Sequence, residues 1–272
     1  MNTRVIDTQQ IVEAFHRDGF VHIPEVLAKA EIEALKAKTD ELLDDPDLQA
    51  RFNVERHDPQ YVQTHQTDAG EKLPFILRNT IELDPLFSDM LVREPILGLA
   101  EALVGSDCRF CGQNVLRNLA GVAIETWHVD GALHFPLPED VPRHEFRARP
   151  PVLWLTVQMA LSDIDSIEHG PTQYIPGSHL SGRHPNSQQD PEFEGRGPVS
   201  VFCKAGDIYL QDPQCWHRGA PNTSSRTRFL MQSQYAVDWA YCRFGWMNRV
   251  PVTEQSLRSG SDRLLSLLGH RR

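Results

Sequence analysis

Trp127-His128-Val129-Asp130 puts an imidazole and a carboxylate two residues apart. On an extended strand, positions i and i+2 face the same side, so both side chains reach one point. A second imidazole from a distant strand completes a facial set of three. His217, in Gln214-Cys215-Trp216-His217, is the natural choice. Two histidines and one carboxylate on one face leave coordination positions open, which suits a ferrous ion that takes up a cosubstrate and oxygen. A structural zinc site would close with four protein ligands instead.

The H-x-D pattern alone is weak, because His16-Arg17-Asp18 repeats it. That copy sits where a helix ends before Gly19, so its two side chains point apart, and it reads as a capping or surface feature. The stretch after His217 adds weight to the downstream copy. Arg226-Thr227-Arg228-Phe229-Leu230-Met231-Gln232, as a strand, sends Arg226, Arg228, Leu230 and Gln232 to one face. An arginine pointing into a barrel is an uncompensated buried charge unless an anion meets it. Its planar fork matches a carboxylate held by two hydrogen bonds. A dicarboxylate cosubstrate that chelates iron at one end and meets arginine at the other satisfies both observations. An exposed position on the outer strand face is the other reading for one of the two arginines.

The elements that must position these groups follow from hydrophobic periodicity. The first 105 residues read as mostly helical. Thr8 to Arg17 is amphipathic, Phe20 to Ile23 is a short strand stopped by Pro24, and a stronger helix starts near Lys29 with Ile32, Leu35, Leu42 and Leu43 on one stripe. Asp44 to Lys72 turns polar and reads as an exposed loop or lid. A helix pair fits Leu86 to Val104, interrupted at Pro95 and ended by Gly105. From there the period is two: Arg109–Arg117, Pro151–Leu161, Pro198–Phe202, Asp207–Gln211 and Arg226–Tyr235 read as strands separated by turns. Consecutive strands without intervening helices predict an antiparallel barrel or jelly roll, with the helical N-terminal third packed outside. A single domain over 1–272 is expected: a helical flank to 105, a β core over 106–240 and a C-terminal extension.

Composition removes several function classes. The 272 residues carry a formal charge of −10 and no basic stripe, so nucleic acid is not an expected partner. No run of eighteen apolar residues predicts a membrane span. The opening MNTRVIDTQQ lacks the layout of a signal peptide, so a cytoplasmic protein is expected, as a monomer or homodimer. Five cysteines do not make a disulfide framework, and the lone Cys108-x-x-Cys111 reads as two core cysteines facing opposite sides of a strand.

From Trp127 to Tyr235 the chain resembles the phytanoyl-CoA dioxygenase (PhyH-like) family of iron(II)/2-oxoglutarate oxygenases. The resemblance is carried by His128-Val129-Asp130, Ala160-Leu161-Ser162-Asp163, Gly170-Pro171 and Tyr174-Ile175-Pro176-Gly177-Ser178-His179. Gly206-Asp207, Trp216-His217-Arg218-Gly219 and Pro221-Asn222-Thr223-Ser224 complete it, and Phe15 to Phe20 is similar to the family's opening. It implies a double-stranded β-helix, the cofactors Fe(II), 2-oxoglutarate and O2, and iron ligands His128, Asp130 and His217. It also implies that Arg228, eleven residues after the distal histidine, meets the far carboxylate of 2-oxoglutarate. Gln113 and Gln158 are expected as further cosubstrate contacts, because both lie on strands taken to face the site. His179 reads as a turn residue rather than a ligand. Glu125 departs from the family, which often has a cosubstrate-facing residue there.

Since Asp130 is present, the resemblance favours hydroxylation, or oxidative desaturation, ring closure or epimerisation, over halogenation. The substrate is expected to be a small organic molecule, such as a secondary metabolite. Gly131 to Pro150 is a Pro-rich insertion that could roof a pocket together with Trp239, Tyr241, Phe244 and Trp246. Its Arg143, His144, Arg147 and Arg149 read equally as contacts for an acidic substrate or as a solvated charged loop. Two alternatives stay open at this point: a catalytically silent ligand-binding barrel, and a cupin-type metal enzyme that does not use 2-oxoglutarate.

Overall fold

The computed structural model describes residues 7–48, 62–66, 72–148, 150–186, 191–245, 257 and 260–270. Helix α1 (Thr8–Asp18) is capped at its start by the Asp7 carboxylate, which accepts from the Gln10 N–H. It ends at Gly19, whose left-handed backbone (φ 83°) turns the chain directly into β1 (Phe20–Ile23). A Cβ at Gly19 would come within 2.6 Å of His179 Nδ1 and 2.9 Å of Cys215 Sγ, so the turn also needs the space. Helix α2 (Lys29–Leu43), β2 (Val62–Gln66), β3 (Lys72–Arg78), α3 (Pro85–Leu91) and α4 (Ile96–Val104) follow. The remaining elements are β4 (Arg109–Asn118), β5 (Trp154–Ala160), β6 (Thr172–Tyr174), β7 (Val199–Ser200), β8 (Ile208–Gln211), β9 (His217–Gly219), β10 (Arg228–Ala236), α5 (Asp238–Arg243) and α6 (Asp262–Leu267).

The strands form a seven-stranded sheet, ordered β1-β8-β5-β10-β4-β3-β2, and a three-stranded sheet, ordered β7-β6-β9. Every pairing between named strands is antiparallel. One face of the large sheet, with Val115, Val157, Met159, Leu210 and Met231, buries itself against apolar residues of α1, α2, α3, α4 and α6. Its other face, with Ile76, Leu116, Ala160, Tyr209 and Leu230, meets Tyr174 of the small sheet. Polar residues on that second face are therefore enclosed between two sheets.

The N-terminal third differs from its expected helical character. β1 and β3 join the large sheet and β2 extends it, so this third supplies strands as well as a helical flank. Within the expected polar loop, residues 49–61 and 67–71 lie outside the described residues, whereas Val62–Gln66 is a strand. Among the described residues no helix is long and apolar enough to cross a membrane. Cys108 and Cys111 are free and buried, and pack in separate clusters.

Candidate active site

Two backbone bridges bring the three ligand candidates together. His128 and His217 form an antiparallel pair, each N–H donating to the other's carbonyl at 3.0 Å. The Asp130 N–H donates to the Pro213 carbonyl at 2.8 Å. With this stretch extended, Trp127 and Val129 pack outward with Ile175, Phe193 and Trp216. His128 and Asp130 turn inward, as alternation requires.

Asp130 Oδ1 lies 3.6 Å from Nε2 of His128 and 3.6 Å from Nε2 of His217. The three potential ligand atoms all fall within 4.8 Å of one another. Each imidazole has its other nitrogen tied down. His128 Nδ1 donates to the Thr126 carbonyl at 2.7 Å, and His217 Nδ1 to the Cys215 carbonyl at 2.8 Å. A carbonyl can only accept, so both Nδ1 atoms carry the proton and both Nε2 lone pairs face Asp130. Burial works against the Asp130 charge, but without metal His217 and His128 outweigh it once they take up a second proton on Nε2. They hold the carboxyl well below the usual carboxylate range.

Gln211, at the inner end of β8, escaped the sequence reading. Its Nε2 lies 3.0 Å from His217 Nε2 and 3.3 Å from Asp130 Oδ2. Its Oε1 accepts from Gln158 Nε2 at 2.8 Å and from the Tyr174 hydroxyl at 2.7 Å. Gln211 thus links the small sheet to two members of the triad. A polar residue closing the strand Ile208-Tyr209-Leu210-Gln211, six before His217, was the available signal.

The triad opens on a cavity of about 190 Å³ that Arg228 also lines. Arg228 is 5 % exposed, and burial pushes its guanidinium below the ordinary arginine value. One of its terminal nitrogens donates to the Gly170 carbonyl, while Nε is buried with no partner. No carboxylate pairs with it among the described residues. Arg226 behaves differently: it is exposed and engages His169, the Asp163 carbonyl and the Asp165 carboxylate.

Of the two glutamines expected near the cosubstrate, Gln158 lines the cavity, with its Oε1 buried and unbonded. Gln113 does not. It lies on the opposite face of β4, where it accepts from the Thr80 hydroxyl and donates to the Phe87 carbonyl and Ser233 Oγ. The cavity face of β4 presents Asn114 and Leu116 instead. Both faces of β4 are buried, so its sequence carries no mark of which side is inner.

The expected roof also fails. None of the described residues of the 131–150 segment lines this cavity. That segment folds around Arg183, whose guanidinium donates to the carbonyls of Pro138, Glu139, Val141 and Pro142. Arg143 pairs with Glu194, and His144 bonds the Phe135 carbonyl. Trp239, Tyr241 and Phe244 also lie away from the cavity, and Arg149 and Trp246 fall outside the described residues. Ile76, Arg78, Ile124 and Arg218 line the cavity in their place. Arg218 is held by Gln173 Oε1 at 2.7 Å and lies 4.9 Å from the centre of the Trp127 ring. Glu125 is exposed and is not part of the lining. His179 is no ligand: its Nε2 bonds the His16 carbonyl, and in the His16-Arg17-Asp18 copy Asp18 pairs with Arg17 and Arg196.

Comparison with known proteins gives a consistent picture. The phytanoyl-CoA dioxygenase (PhyH) family model matches residues 15–230. A phytanoyl-CoA dioxygenase of Arabidopsis thaliana is 23 % identical over 291 residues, covering 91 % of this chain and 95 % of the relative. Among solved structures, the epimerase SnoN in complex with Fe3+, alpha ketoglutarate and nogalamycin RO superposes with a TM-score of 0.61. It is 22 % identical, over 85 % of this chain and 83 % of SnoN. HygX from Streptomyces hygroscopicus, with nickel, 2-oxoglutarate and hygromycin B bound, gives a TM-score of 0.58. It is 18 % identical, over 85 % of this chain and 88 % of HygX.

Proposed function

Because the chain belongs to the phytanoyl-CoA dioxygenase family, we propose that it is an Fe(II)- and 2-oxoglutarate-dependent oxygenase acting on a small organic molecule. His128, Asp130 and His217 would hold the metal. Arg228 would meet the far carboxylate of 2-oxoglutarate, and Gln158 would contact the same cosubstrate. On this reading the two sheets are the faces of a double-stranded β-helix. The observation that carries the proposal is Arg228: a buried cation, with a bare Nε and no carboxylate among the described residues, in the cavity onto which the triad opens. A silent barrel would gain nothing from keeping that uncompensated charge. A cupin-type enzyme without 2-oxoglutarate would leave it equally without an anion.

The donor set fits a ferrous ion. Two neutral imidazoles with inward lone pairs and one ionised carboxylate supply three ligands, and among the described residues no further His, Cys, Asp or Glu joins them. Iron with 2-oxoglutarate and dioxygen supplies an oxidation of the substrate by one oxygen atom, releasing succinate and carbon dioxide. The chain's own contribution is positional. The Thr126 and Cys215 carbonyls fix the tautomers, and Gln211 holds Asp130 against His217. Arg228 orients the dicarboxylate with its fork, and Leu116, Leu230 and Ile76 keep that part of the cavity apolar. SnoN and HygX, in complex with nogalamycin RO and hygromycin B, support a small-molecule substrate. Hydroxylation and oxidative epimerisation both use this machinery.

The test is 2-oxoglutarate turnover. Full-length protein with Fe(II) and ascorbate in air should convert 2-oxoglutarate to succinate, slowly without substrate. Asp130→Ala should abolish this. Succinate at the same rate from both proteins, or from neither, would refute the proposal.

A further inference from the structure

The cavity changes character with distance from Arg228. Along β10 the side chains of Arg228, Leu230, Gln232 and Gln234 line it in turn. At ~3.3 Å per residue, Gln234 lies about 20 Å along the strand from Arg228. A five-carbon dicarboxylate anchored at Arg228 cannot extend that far.

This far end is paved with amides. Strand register sets Gln232 directly between Gln158 of β5 and Asn114 of β4. Gln234 is set between Thr156 and Gly112. The Gln234 amide lies across the Gly112 backbone, where a Cβ would meet Gln234 Oε1. Among the described residues, the side chains of Asn114, Gln232 and Gln234 make no hydrogen bond. Behind them, Gln158 Oε1 and Thr156 Oγ1 are buried and also unbonded.

Buried polar atoms without partners, here Gln158 Oε1 and Thr156 Oγ1, need an explanation, and the half-buried amides of Asn114, Gln232 and Gln234 extend the same polar surface into the cavity. Water can satisfy them in the open cavity, but a ligand that displaces this water has to return the hydrogen bonds. An acyl chain would leave each amide stripped. Arg78, the strand partner of Asn114, and Arg218 also line the cavity, so a hydroxylated ligand that carries an acidic group would be met as well. Amides offer donors and acceptors side by side, as hydroxyl groups do.

We infer that the substrate end of this cavity, marked by Asn114, Gln232 and Gln234, takes a polyhydroxylated molecule of the sugar or cyclitol type. Placing 2-oxoglutarate at the other end rests on the function proposed above. The recognition chemistry rests on the amides alone. A site built to bond hydroxyls discriminates strongly against analogues that lack them, because its polar groups are then left unpaired.

The test is ligand-observed saturation-transfer NMR on the full chain carrying redox-inert Zn(II) and 2-oxoglutarate. One probe set is methyl glucoside, sucrose, maltotriose and myo-inositol; the other is octanoate and octanoyl-CoA. Members of the polyol set should show transfer and the acyl set should not. Gln232→Leu should weaken polyol binding by about tenfold or more, with 2-oxoglutarate affinity within about twofold of wild type. Gln234→Met, at a half-buried position, gives the same readout if Gln232→Leu does not fold. Binding of the acyl probes instead, no polyol binding, or polyol binding untouched in the folded variants would overturn the inference. Polyol binding without 2-oxoglutarate binding would leave it standing and refute the cosubstrate assignment.

Discussion

His128 and His217 face each other across a two-way backbone bridge, with ring centroids 4.3 Å apart. The third ligand is thus placed by main-chain pairing, not by side-chain packing alone. Residues 89 positions apart in sequence meet as neighbours on two adjacent extended segments. Any distortion of either segment moves both imidazoles.

Metal should therefore stabilise the fold measurably. At about one hundred times its Kd, a metal that binds only the native state adds about 2.7 kcal/mol. Differential scanning calorimetry of the apoprotein should show a rise in Tm on adding Fe(II) anaerobically. His217→Ala should lose that rise. An equal rise in the variant would place the metal elsewhere.

Arg228 and Arg226 should separate cleanly. Arg228→Ala should weaken 2-oxoglutarate binding at least about thirtyfold, about 2 kcal/mol, because the interaction is charge-assisted and buried. Arg226→Ala, already engaged at the surface by Asp165 and His169, should stay within about twofold. Calorimetric titration of both variants decides this, and equal losses would refute the choice. Without ligand, Arg228→Met should melt above wild type, since it removes a buried charge that has no carboxylate partner.

Gln211 should act through the metal ligands it touches. Gln211→Leu should lower metal affinity by about 10–100-fold because the N–H donor to Asp130 Oδ2 is lost, while Gln211→Asn, which keeps an amide, should lose less. Competition with a fluorescent chelator reads both. Unchanged affinity in the leucine variant would show that the 3.3 Å contact to Asp130 does no positioning.

Asp212 gives a pH signature. Burial raises its carboxyl to about 7, against the opposing pull of the Gln214 N–H. The folded state therefore holds a proton that the unfolded state releases near its ordinary value of 3.8. Stability from this group is full below about pH 4 and is lost as pH rises through 7. Asp212→Asn keeps the acceptor and removes the titration. Its stability advantage over wild type should grow between pH 4 and 8, up to about 4 kcal/mol. Denaturant melts at several pH values give the difference, and a flat difference would contradict the assignment.

The triad was legible because alternation on an extended segment needs only i and i+2 spacing, which His128 and Asp130 display. Arg228 was legible through the cost of an unpaired inward arginine, though the choice over Arg226 needed the family resemblance. Gln113 was misplaced because β4 is buried on both faces and each carries polar residues, Gln113 on one and Asn114 on the other, so polarity does not mark the inner side. The amide row was half visible: Gln158 and Gln232 were noted, but their neighbourhood with Asn114 and Gln234 depends on inter-strand register, which no single strand encodes. The 131–150 segment was misread because proline and basic residues suggest an exposed lid. Its carbonyls are engaged by a distant arginine, Arg183, that local sequence does not reveal. β2 was missed because its polar sequence hid the pairing, and β3 because Pro74 interrupts a short apolar run.

The central claim is that the triad and Arg228 form one cosubstrate site. Anaerobic titration of the apoprotein with Fe(II) and then 2-oxoglutarate, followed by visible absorption, tests it most directly. A weak charge-transfer band should appear only after 2-oxoglutarate is added, saturate at one equivalent, and require far more cosubstrate in Arg228→Ala. Iron binding with no band on adding 2-oxoglutarate, or a band whose titration is unchanged in Arg228→Ala, would contradict it.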